Sequence, residues 1–504
     1  MTHGVPLRAS LRSPLVASLL AATLVAGCGG NDDDDTTPPP PPTQRVTKYG
    51  AVGGLDQSAT GTYAWLGIPY AQAPVGPLRF AAPQPLPPFA EPFAADRHGP
   101  TPQRVPLFET TTIPEPSFPG DGTLNLDVFA PAEAASAPVL FWIHGGGYIA
   151  GSAASPWYDG SAFARDGVVV VNASYRLGVD GFGILPGTVP NRGLLDLVAA
   201  LEWVRDNIGA FGGDPRRVTI AGQSAGGGAA LALLSSPRAR GLFRAAVSVS
   251  GVDISLDADR VREATVEVAG LLGVEPTVEG FGPTDDGAPM RAILALREKS
   301  EDAAPISFGP VHGDELLPDP VSVGLARRGT ELPLLLGATA DEFDGGPTPE
   351  NPDRPDPRSA EVKEQKRRGT RVTDQLFRAP VPRIAAARSR AGGRTWIYSF
   401  EWPSPIMQGA THCIDVPFLF GNLDAAGVTE ALGEAPPDSL AEAMHGDVLA
   451  LVRGVDPAWP PAAGDIGDPG RLYDAEGEAK VAHGLYDTVV PRSSRAAEGD
   501  RAGS

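Results

Sequence analysis

The pentapeptide at residues 222–226, Gly-Gln-Ser-Ala-Gly, constrains this chain more than any other part of its sequence. A β-branched run at residues 217–221 precedes it, and a run of small, helix-compatible residues begins at Ala225. Together they predict a strand that turns sharply into a helix, with Ser224 at the turn. Because glycine has no Cβ atom, the two flanking glycines allow the strand and the helix to approach closely. The pattern therefore predicts a strained turn that exposes the Ser224 hydroxyl at the end of a sheet.

Short apolar runs alternate with helical patterns over most of the remaining sequence. The runs predicted to be strands are residues 137–143, 168–172, 218–221, 245–249, 332–336 and 395–400. Residues 192–208 predict a helix, because apolar side chains recur there at three- and four-residue spacings. Strands that alternate with helices favour an α/β fold in which helices cover both faces of a mostly parallel sheet. With 504 residues, of which 42% are apolar, the chain can bury a large core.

The N-terminus has the features of a targeting segment rather than of a folded domain. Arg8 and Arg12 precede an apolar run at residues 15–26 that is too short for an ordinary membrane-spanning helix. The run leads into Val-Ala-Gly-Cys, ending at Cys28, which resembles the lipobox of bacterial lipoproteins. That resemblance implies that residues 1–27 are a signal peptide and that the Cys28 thiol carries a lipid. A plain secretory signal with an incidental cysteine is the alternative.

Residues 28–44 are predicted to be a tether, because four consecutive aspartates and a run of prolines keep a chain solvated and extended. A simple disordered leader would behave in nearly the same way. Residues 45–504 are predicted to form a single domain. The expected location is the cell envelope, after secretion across the inner membrane. There the lipid on Cys28 would hold the domain at a membrane, on the periplasmic face or at the outer membrane.

The net charge and the cysteine content argue against some kinds of partner and of structural site. The formal net charge of −20 argues against a nucleic-acid partner, because phosphates would be repelled. Cys28 and Cys413 are the only cysteines, so the sequence supports neither a disulfide framework nor a cysteine-based metal site.

A serine hydroxyl at such a turn is a weak nucleophile at neutral pH and must be activated by other groups. It requires a base to take its proton, an acid to orient that base, and donors for the oxyanion that develops. The strand–serine–helix turn resembles the nucleophile elbow of α/β-hydrolases, in which these parts occur in the chain order serine, acid, histidine. His412, His445 and His483 are the histidines that follow a candidate acid downstream of Ser224.

Glu342 is the candidate acid, because it comes shortly after the predicted strand at residues 332–336. His412 follows the predicted strand at residues 395–400. The carboxyl ends of parallel strands meet at one edge of a sheet, so both residues are expected at the same edge as Ser224. Spacing alone leaves two alternatives open, an exposed loop carboxylate for Glu342 and a structural role for His412.

A glycine-rich loop at residues 144–148, His-Gly-Gly-Gly-Tyr, follows the predicted strand at residues 137–143. Consecutive glycines let backbone N–H groups turn inward without obstruction by side chains. Paired with the N–H of Ala225, they are suited to bind an oxyanion. A phosphate-binding loop is the competing interpretation, but no Gly-Lys-Ser/Thr follows these glycines.

Ordered motifs extend over residues 46–475. The matching segments are residues 66–71, 74–76, 78–80, 124–128, 142–147, 175–178, 191–227, 341–342, 411–412 and 416–422. In these motifs the chain resembles the type-B carboxylesterases, the family of cholinesterases, many bacterial carboxylesterases and some fungal lipases. The resemblance implies an α/β-hydrolase fold. Its helical cap is expected to be reduced, because the stretch between Glu342 and His412 is short for the family.

The resemblance also implies a function, the hydrolysis of small-molecule carboxylic esters through an acyl-enzyme. It implies Ser224 as the nucleophile, Glu342 as the orienting acid and His412 as the general base. The implied oxyanion donors are the backbone N–H groups of Gly146, Gly147 and Ala225. No metal or organic cofactor is implied.

Several positions depart from the family pattern. Gln223 stands where the family usually has glutamate, which is expected to change the pH dependence or the placement of the deacylating water. Phe343 replaces a usual glycine, and Gly122 stands near the usual position of a cysteine, so that family disulfide is absent. Cys413 directly follows His412 and is expected to be a buried, inert thiol.

Two other functions remain open at the level of sequence. A non-catalytic recognition module can share the fold of an enzyme, although such proteins typically lose one of the catalytic residues. Within the enzyme class, a lipase or a specialised carbamate or toxin hydrolase would carry the same motifs. Aromatic residues that are candidates for the substrate pocket, or alternatively for the core, are Tyr148, Trp157, Phe182 and Phe343.

Overall fold

The computed structural model describes residues 42–102, 112–285, 287–299, 306–343 and 360–489, all within the compact unit Pro41–Ser504. Its strands are β1 (Gln44–Thr47), β2 (Gly50–Gly53), β3 (Leu55–Gln57), β4 (Thr62–Pro69), β5 (Phe93–Ala94), β6 (Asn125–Pro131), β7 (Ala137–Ile143), β8 (Val169–Ala173), β9 (Gly213–Gln223), β10 (Ala245–Val249), β11 (Leu334–Thr339), β12 (Thr395–Phe400), β13 (Pro469–Tyr473) and β14 (Ala479–His483). Cys28 and the predicted signal peptide lie outside the described residues.

The helices occupy most of the connections between these strands. They are α1 (Ser161–Arg165), α2 (Gly178–Phe182), α3 (Arg192–Asn207), α4 (Ala225–Ser235), α5 (Ala258–Leu272), α6 (Val278–Phe281), α7 (Ala288–Lys299), α8 (Val321–Gly324), α9 (Ala360–Val372), α10 (Pro380–Arg390), α11 (Val416–Phe420), α12 (Val428–Leu432) and α13 (Asp438–Arg453). A π-helix, Thr373–Arg378, lies between α9 and α10. Among the described residues, none of the helices combines the length and the apolar character needed to cross a bilayer.

Eleven of the strands form one large sheet, in the order β14-β13-β12-β11-β10-β9-β7-β8-β6-β4-β3. Every pairing from β8 to β13 in this order is parallel. The remaining strands join at the two sides of the sheet through antiparallel pairings. The sheet is therefore mostly parallel, as the sequence predicted, with antiparallel strands added at both sides.

Helices cover both faces of this sheet. Val139, Phe141 and Ile143 of β7 belong to one hydrophobic core, whereas Leu140 and Trp142 of the same strand belong to a second core. Because side chains alternate along a strand, the two cores lie on opposite faces of the sheet. Helices α3, α4 and α5 contribute apolar side chains to the first core, and α1, α11 and α13 contribute to the second.

All seven elements that were predicted with stated bounds are present, three of them have the observed bounds, and the others differ at their ends. The strands at residues 137–143, 245–249 and 395–400 are confirmed without change. Strand β9 is much longer than the predicted residues 218–221, and β11 extends to Thr339. The added residues are mostly glycine and polar residues, which a hydrophobic pattern omits. They still pair within the sheet, since the register aligns Gly222 with Ile143 in β7 and Thr339 with Phe400 in β12.

The parallel arrangement brings several loops to one edge of the sheet. Strands β7, β9, β10, β11 and β12 run in the same direction, so their carboxyl ends lie at a common edge. The glycine loop follows β7, and Ser224 follows β9. Glu342 follows β11 and His412 follows β12. Between β11 and β12, the described chain contains α9, the π-helix and α10, and this short helical stretch agrees with the expected reduced cap.

Candidate active site

Ser224 occupies a strained turn between β9 and α4. Its backbone has a φ of 56° and a ψ of −122°, a conformation that residues other than glycine rarely adopt. The turn is held by a hydrogen bond of 2.8 Å from the Ser224 N–H to the carbonyl oxygen of Val249 in β10. A Cβ atom on Gly226 would lie 2.0 Å from the carbonyl oxygen of Ile143, and one on Gly222 would lie 2.4 Å from the carbonyl carbon of Gly226. Both flanking glycines are therefore required by the close approach of strand and helix.

Ser224, His412 and Glu342 lie in one hydrogen-bonded chain. The distance from Ser224 Oγ to His412 Nε2 is 2.9 Å. The other ring nitrogen, Nδ1, is hydrogen-bonded to Glu342 Oε2. The second carboxylate oxygen, Oε1, accepts a hydrogen bond of 2.9 Å from the backbone N–H of Thr339. The backbone N–H of His412 also donates to the Glu342 carbonyl oxygen at 2.9 Å, so the two loops are joined directly.

Burial strengthens the electrostatic interaction between the Glu342 carboxylate and the His412 imidazole. The side chain of Glu342 is fully buried, and that of His412 is 16% exposed. Burial by itself lowers the pKa of the imidazole, but its neighbours Cys413 and Glu342 raise the pKa of His412 well above the ordinary value for histidine. Because burial raises the pKa of the Cys413 thiol, that group is neutral, and we attribute the raised pKa of His412 to Glu342.

The glycine loop packs directly against the serine. A Cβ atom on Gly145 would lie 3.1 Å from the Cβ atom of Ser224. Gly146 and Gly147 have positive φ angles of 109° and 61°, and a Cβ atom on Gly146 would lie 2.1 Å from the carbonyl oxygen of Ala150. The loop therefore needs glycine at residue 146, and it lies beside the Ser224 side chain.

His144, at the start of this loop, has a structural role that the sequence did not indicate. The side chain is fully buried, and its Nδ1 lies 2.8 Å from the carbonyl oxygen of Gly145. Its ring stacks on Tyr175 at a centroid distance of 4.6 Å, and the Tyr175 hydroxyl donates to the His144 carbonyl oxygen. Burial lowers the pKa of His144 to about 4, so the imidazole is neutral near neutral pH. These contacts fix the backbone that carries the glycines.

Gln223 and Cys413 lie beside the imidazole. The Gln223 side chain is buried, and its Nε2 lies 3.2 Å from His412 Nε2. The same amide nitrogen donates to Cys413 Sγ at 3.0 Å. The prediction of a buried Cys413 thiol is confirmed. Gln223 thus places a neutral donor next to the ring nitrogen that faces Ser224, where the family usually has a carboxylate.

Asp415 is a second buried carboxyl group near Glu342 and His412, and it was not predicted from the sequence. It is fully buried, and its Oδ2 accepts a hydrogen bond of 3.3 Å from the Tyr398 hydroxyl. Burial and the nearby charge of Glu342 raise the pKa of Asp415 to about 7. Its position three residues after His412 was the available signal, but an aspartate just before a helix is normally interpreted as a cap.

Of the four aromatic candidates for the pocket, the structure leaves one accessible. Tyr148, Trp157 and Phe182 are fully buried. Phe343 is 40% exposed, and its ring lies 5.0 Å from the His412 ring. Phe377 of the π-helix lies 4.9 Å from the same imidazole and is buried, and no sequence pattern had singled it out.

The two alternative histidines are engaged elsewhere. His445 Nδ1 lies 2.9 Å from the carbonyl oxygen of Leu419, and its Nε2 lies 3.1 Å from Asp166 Oδ2. His483 contacts the carbonyl oxygen of Gly467 at the end of β14. Within the part of the chain that the structure describes, no group of three or more His, Cys, Asp or Glu side chains could hold a metal ion. His412 is thus the histidine that the fold brings to Ser224.

Comparison with known proteins points to one family. The carboxylesterase family matches residues 41–353. The para-nitrobenzyl esterase of Bacillus subtilis (strain 168) is 34% identical over 415 aligned residues, which cover 75% of this chain and 83% of that protein. The phenmedipham hydrolase of Pseudarthrobacter oxydans is 32% identical over 477 aligned residues, which cover 84% of this chain and 94% of that protein. A solved structure of a PNB esterase is similar with a TM-score of 0.77 at 29% identity, covering 89% of this chain and 98% of that one.

The family match spans more than half of the chain, and the structural match extends over nearly all of the solved esterase. The α/β-hydrolase fold predicted from the sequence is thereby confirmed. The chain belongs to the carboxylesterase family, and it is a serine hydrolase of carboxylic esters.

Proposed function

We propose that Ser224 is the nucleophile of an ester hydrolysis that proceeds through an acyl-enzyme, with His412 as the general base and Glu342 as the orienting acid. The observation that carries the proposal is the hydrogen-bonded chain from Ser224 Oγ through both ring nitrogens of His412 to Glu342. A buried carboxylate at Nδ1 holds a proton on that nitrogen. Nε2 is then free to accept the proton of the serine.

The reaction follows from this arrangement. As Ser224 Oγ attacks the carbonyl carbon of the ester, His412 Nε2 takes its proton, and the carbonyl electrons move onto oxygen. The imidazolium then gives that proton to the oxygen of the leaving alcohol as the C–O bond breaks, which leaves the acyl group on Ser224. Water, deprotonated by His412, attacks the acyl-enzyme in the same way and releases the carboxylic acid.

The oxyanion is proposed to be bound by the backbone N–H groups of Gly146, Gly147 and Ala225. Support comes from the position of the glycine loop against Ser224 and from the start of α4 at Ala225. The partial positive charge of a helix N-terminus also favours a developing negative charge at this place. One such donor typically contributes about 3 kcal/mol of transition-state stabilisation.

The test uses the purified protein and its Ser224→Ala variant with a short-chain nitrophenyl ester. We expect the substitution to lower kcat by at least about 10⁴-fold, because the covalent route is lost. A fluorophosphonate probe should label the wild-type serine and leave the variant unlabelled. Hydrolysis at the same rate by both proteins would show that Ser224 is not the nucleophile.

We further propose that the enzyme acts at the cell envelope. In this proposal residues 1–27 are a signal peptide, Cys28 carries a lipid, residues 28–44 are a tether whose last residue is the first residue of β1, and residues 45–504 form the esterase domain. Support comes from the lipobox-like sequence before Cys28 and from the aspartates and prolines that follow it. A small-molecule ester would then reach the site without entering the cytoplasm.

A further inference from the structure

Two phenyl rings pack against the catalytic imidazole. The ring centroids of Phe343 and Phe377 lie 5.0 Å and 4.9 Å from that of His412. The two phenyl rings stack on each other at 5.5 Å with an interplanar angle of 29°. Phe377 is buried, whereas Phe343 is 40% exposed. The exposed part of Phe343 is therefore the face of this cluster that a bound molecule can contact.

The backbone of Phe343 is held by the π-helix, which is itself attached to β11. The Phe343 N–H donates a hydrogen bond of 3.0 Å to Thr373 Oγ1, at the first residue of the π-helix that also carries Phe377. The same π-helix is attached to the end of β11, because Arg378 donates to the Thr339 carbonyl oxygen at 3.2 Å. The residue is thus anchored to the strand that precedes Glu342, and its position relative to His412 is set by the fold.

The proposed chemistry determines which part of an ester comes near this ring. His412 Nε2 protonates the leaving oxygen, so the alcohol oxygen must come within hydrogen-bond distance of that nitrogen. The carbon skeleton attached to that oxygen is then placed beside the imidazole, against which the Phe343 ring packs at a centroid distance of 5.0 Å. The acyl group, in contrast, is bonded to Ser224, with its carbonyl oxygen directed toward the glycine loop.

We propose that Phe343 is a specificity-determining residue whose exposed ring binds the alcohol part of the ester and favours apolar, aromatic alcohols such as benzyl alcohol. The proposal rests on the proposed roles of Ser224 and His412. Stacked and edge-to-face aromatic contacts add to the gain from burial of apolar surface, which makes an aryl group a better partner than a short alkyl group. The residue stands where the resemblance led us to expect glycine, which would offer no such contact.

The test compares two esters that share an acyl group and differ only in the alcohol, ethyl butyrate and benzyl butyrate. The measured quantity is kcat/KM, which reports the steps up to formation of the acyl-enzyme, where the alcohol is still present. We expect Phe343→Ala to lower kcat/KM for benzyl butyrate by about tenfold, which corresponds to about 1.4 kcal/mol. For ethyl butyrate the expected change is less than about twofold, because the ethyl group makes little contact with the ring.

Conservative variants and a remote substitution serve as controls. Phe343→Tyr should retain the preference for benzyl butyrate, because it keeps the ring, and Phe343→Leu should give an intermediate value. Val481→Ala, which truncates an exposed apolar residue on the edge strand β14, should leave both esters unaffected. Fluorophosphonate labelling of each variant at the wild-type extent establishes that Ser224 and His412 remain assembled.

Two results would overturn the proposal. An equal loss for both esters would show that the ring acts only by supporting His412, and wild-type kcat/KM values for both esters would show that the alcohol does not contact it. A wild-type protein that neither takes up the fluorophosphonate probe nor hydrolyses either ester would instead contradict the proposed function, and this proposal would be overturned with it.

Discussion

At the scale of single residues, the most informative side chain is Gln223, because it sets the charge next to the catalytic base. Its amide nitrogen lies 3.2 Å from His412 Nε2 and also donates to Cys413. An N–H donor favours the neutral imidazole, which has a lone pair to accept the hydrogen bond, and disfavours the imidazolium. A carboxylate at this position would do the opposite, because a negative charge stabilises the imidazolium.

We therefore expect Gln223→Glu to move the acidic limb of the pH profile upward. His412 must be neutral to accept the serine proton, so kcat/KM falls as the pH falls through the pKa of the imidazole. Glu342 already raises that pKa above the ordinary value, and a second carboxylate should raise it further. The variant should lose activity at a higher pH than the wild type, measured as kcat/KM for a nitrophenyl ester across the acidic range.

Gln223→Met is the matched control, because it removes the amide without adding a charge. Its acidic limb should lie much closer to that of the wild type. A midpoint for Gln223→Glu that is unchanged, or displaced to lower pH, would contradict this account of the charge beside His412.

The order of motifs in the sequence led to Ser224, Glu342 and His412, which the structure places in one hydrogen-bonded chain. The surroundings of the imidazole could not be obtained in the same way. Phe377 contacts the imidazole only because the π-helix packs beside the His412 loop at the edge of the sheet. Such contacts depend on packing between distant segments, for which a single sequence carries no local signal.

At the scale of elements, the turn between β9 and α4 determines where the serine hydroxyl lies. Gly226 in the first turn of α4 packs against the carboxyl end of β7, and a Cβ atom there would lie 2.0 Å from the Ile143 carbonyl oxygen. The same strand leads into the glycine loop. A change at Gly226 therefore displaces the serine and the proposed oxyanion donors relative to each other.

We expect Gly226→Ala to impair both stability and activity. The added methyl group forces apart two backbone segments that cannot rotate away, and overpacking of this kind typically costs about 1–3 kcal/mol. The free energy of unfolding should fall by about that amount in a urea titration. We expect kcat to fall by at least about tenfold, because small displacements of catalytic groups strongly lower the reaction rate.

Gly270→Ala in α5 is the control for this substitution. Nothing lies within 4 Å of a Cβ atom built on Gly270, and alanine is favoured over glycine inside a helix by about 0.5–1 kcal/mol. That variant should be as stable as the wild type or slightly more stable, with unchanged kcat. A Gly226→Ala protein with wild-type stability and activity would show that the turn is not as tightly packed as described.

Secondary structure could be predicted where burial produces a continuous apolar run, as in β7, β10 and β12. The prediction failed for elements whose residues do not form a continuous apolar run. The antiparallel strands β3, β4 and β6 at one side of the sheet were not predicted, because they mix glycine, polar and apolar residues. The π-helix was also missed, since its backbone pairing depends on its packing beside β11 rather than on its composition.

At the scale of the whole molecule, the order of strands in the sheet brings the site together. Strand β9, which carries the serine turn, lies between β7 and β10, and β11 and β12 follow in sequence order on the same side. Alternation of strands and helices predicts a mostly parallel sheet, but it does not predict this order. The order depends on pairings between distant strands, including the placement of β7 between β8 and β9.

The proposed lipid anchor concerns the whole molecule, because it determines where the esterase works. We expect the wild-type protein, expressed in a bacterium that processes lipoproteins, to incorporate radiolabelled palmitate and to sediment with membranes. Each buried methylene of an acyl chain contributes about 0.8 kcal/mol, so more than one chain on Cys28 gives stable attachment. Cys28→Ala should abolish the label and release the protein into the soluble fraction.

Two measurements separate the anchor from other causes of membrane association. Fluorophosphonate labelling and the kcat for a nitrophenyl ester should be the same for Cys28→Ala and the wild type, because the tether lies outside the esterase domain in this proposal. Cys413→Ala, a substitution of the other cysteine, should keep the palmitate label. If Cys28→Ala still sedimented with membranes, or if the palmitate label persisted on it, the attachment would have to come from another part of the chain, and the proposed location would lose its physical basis.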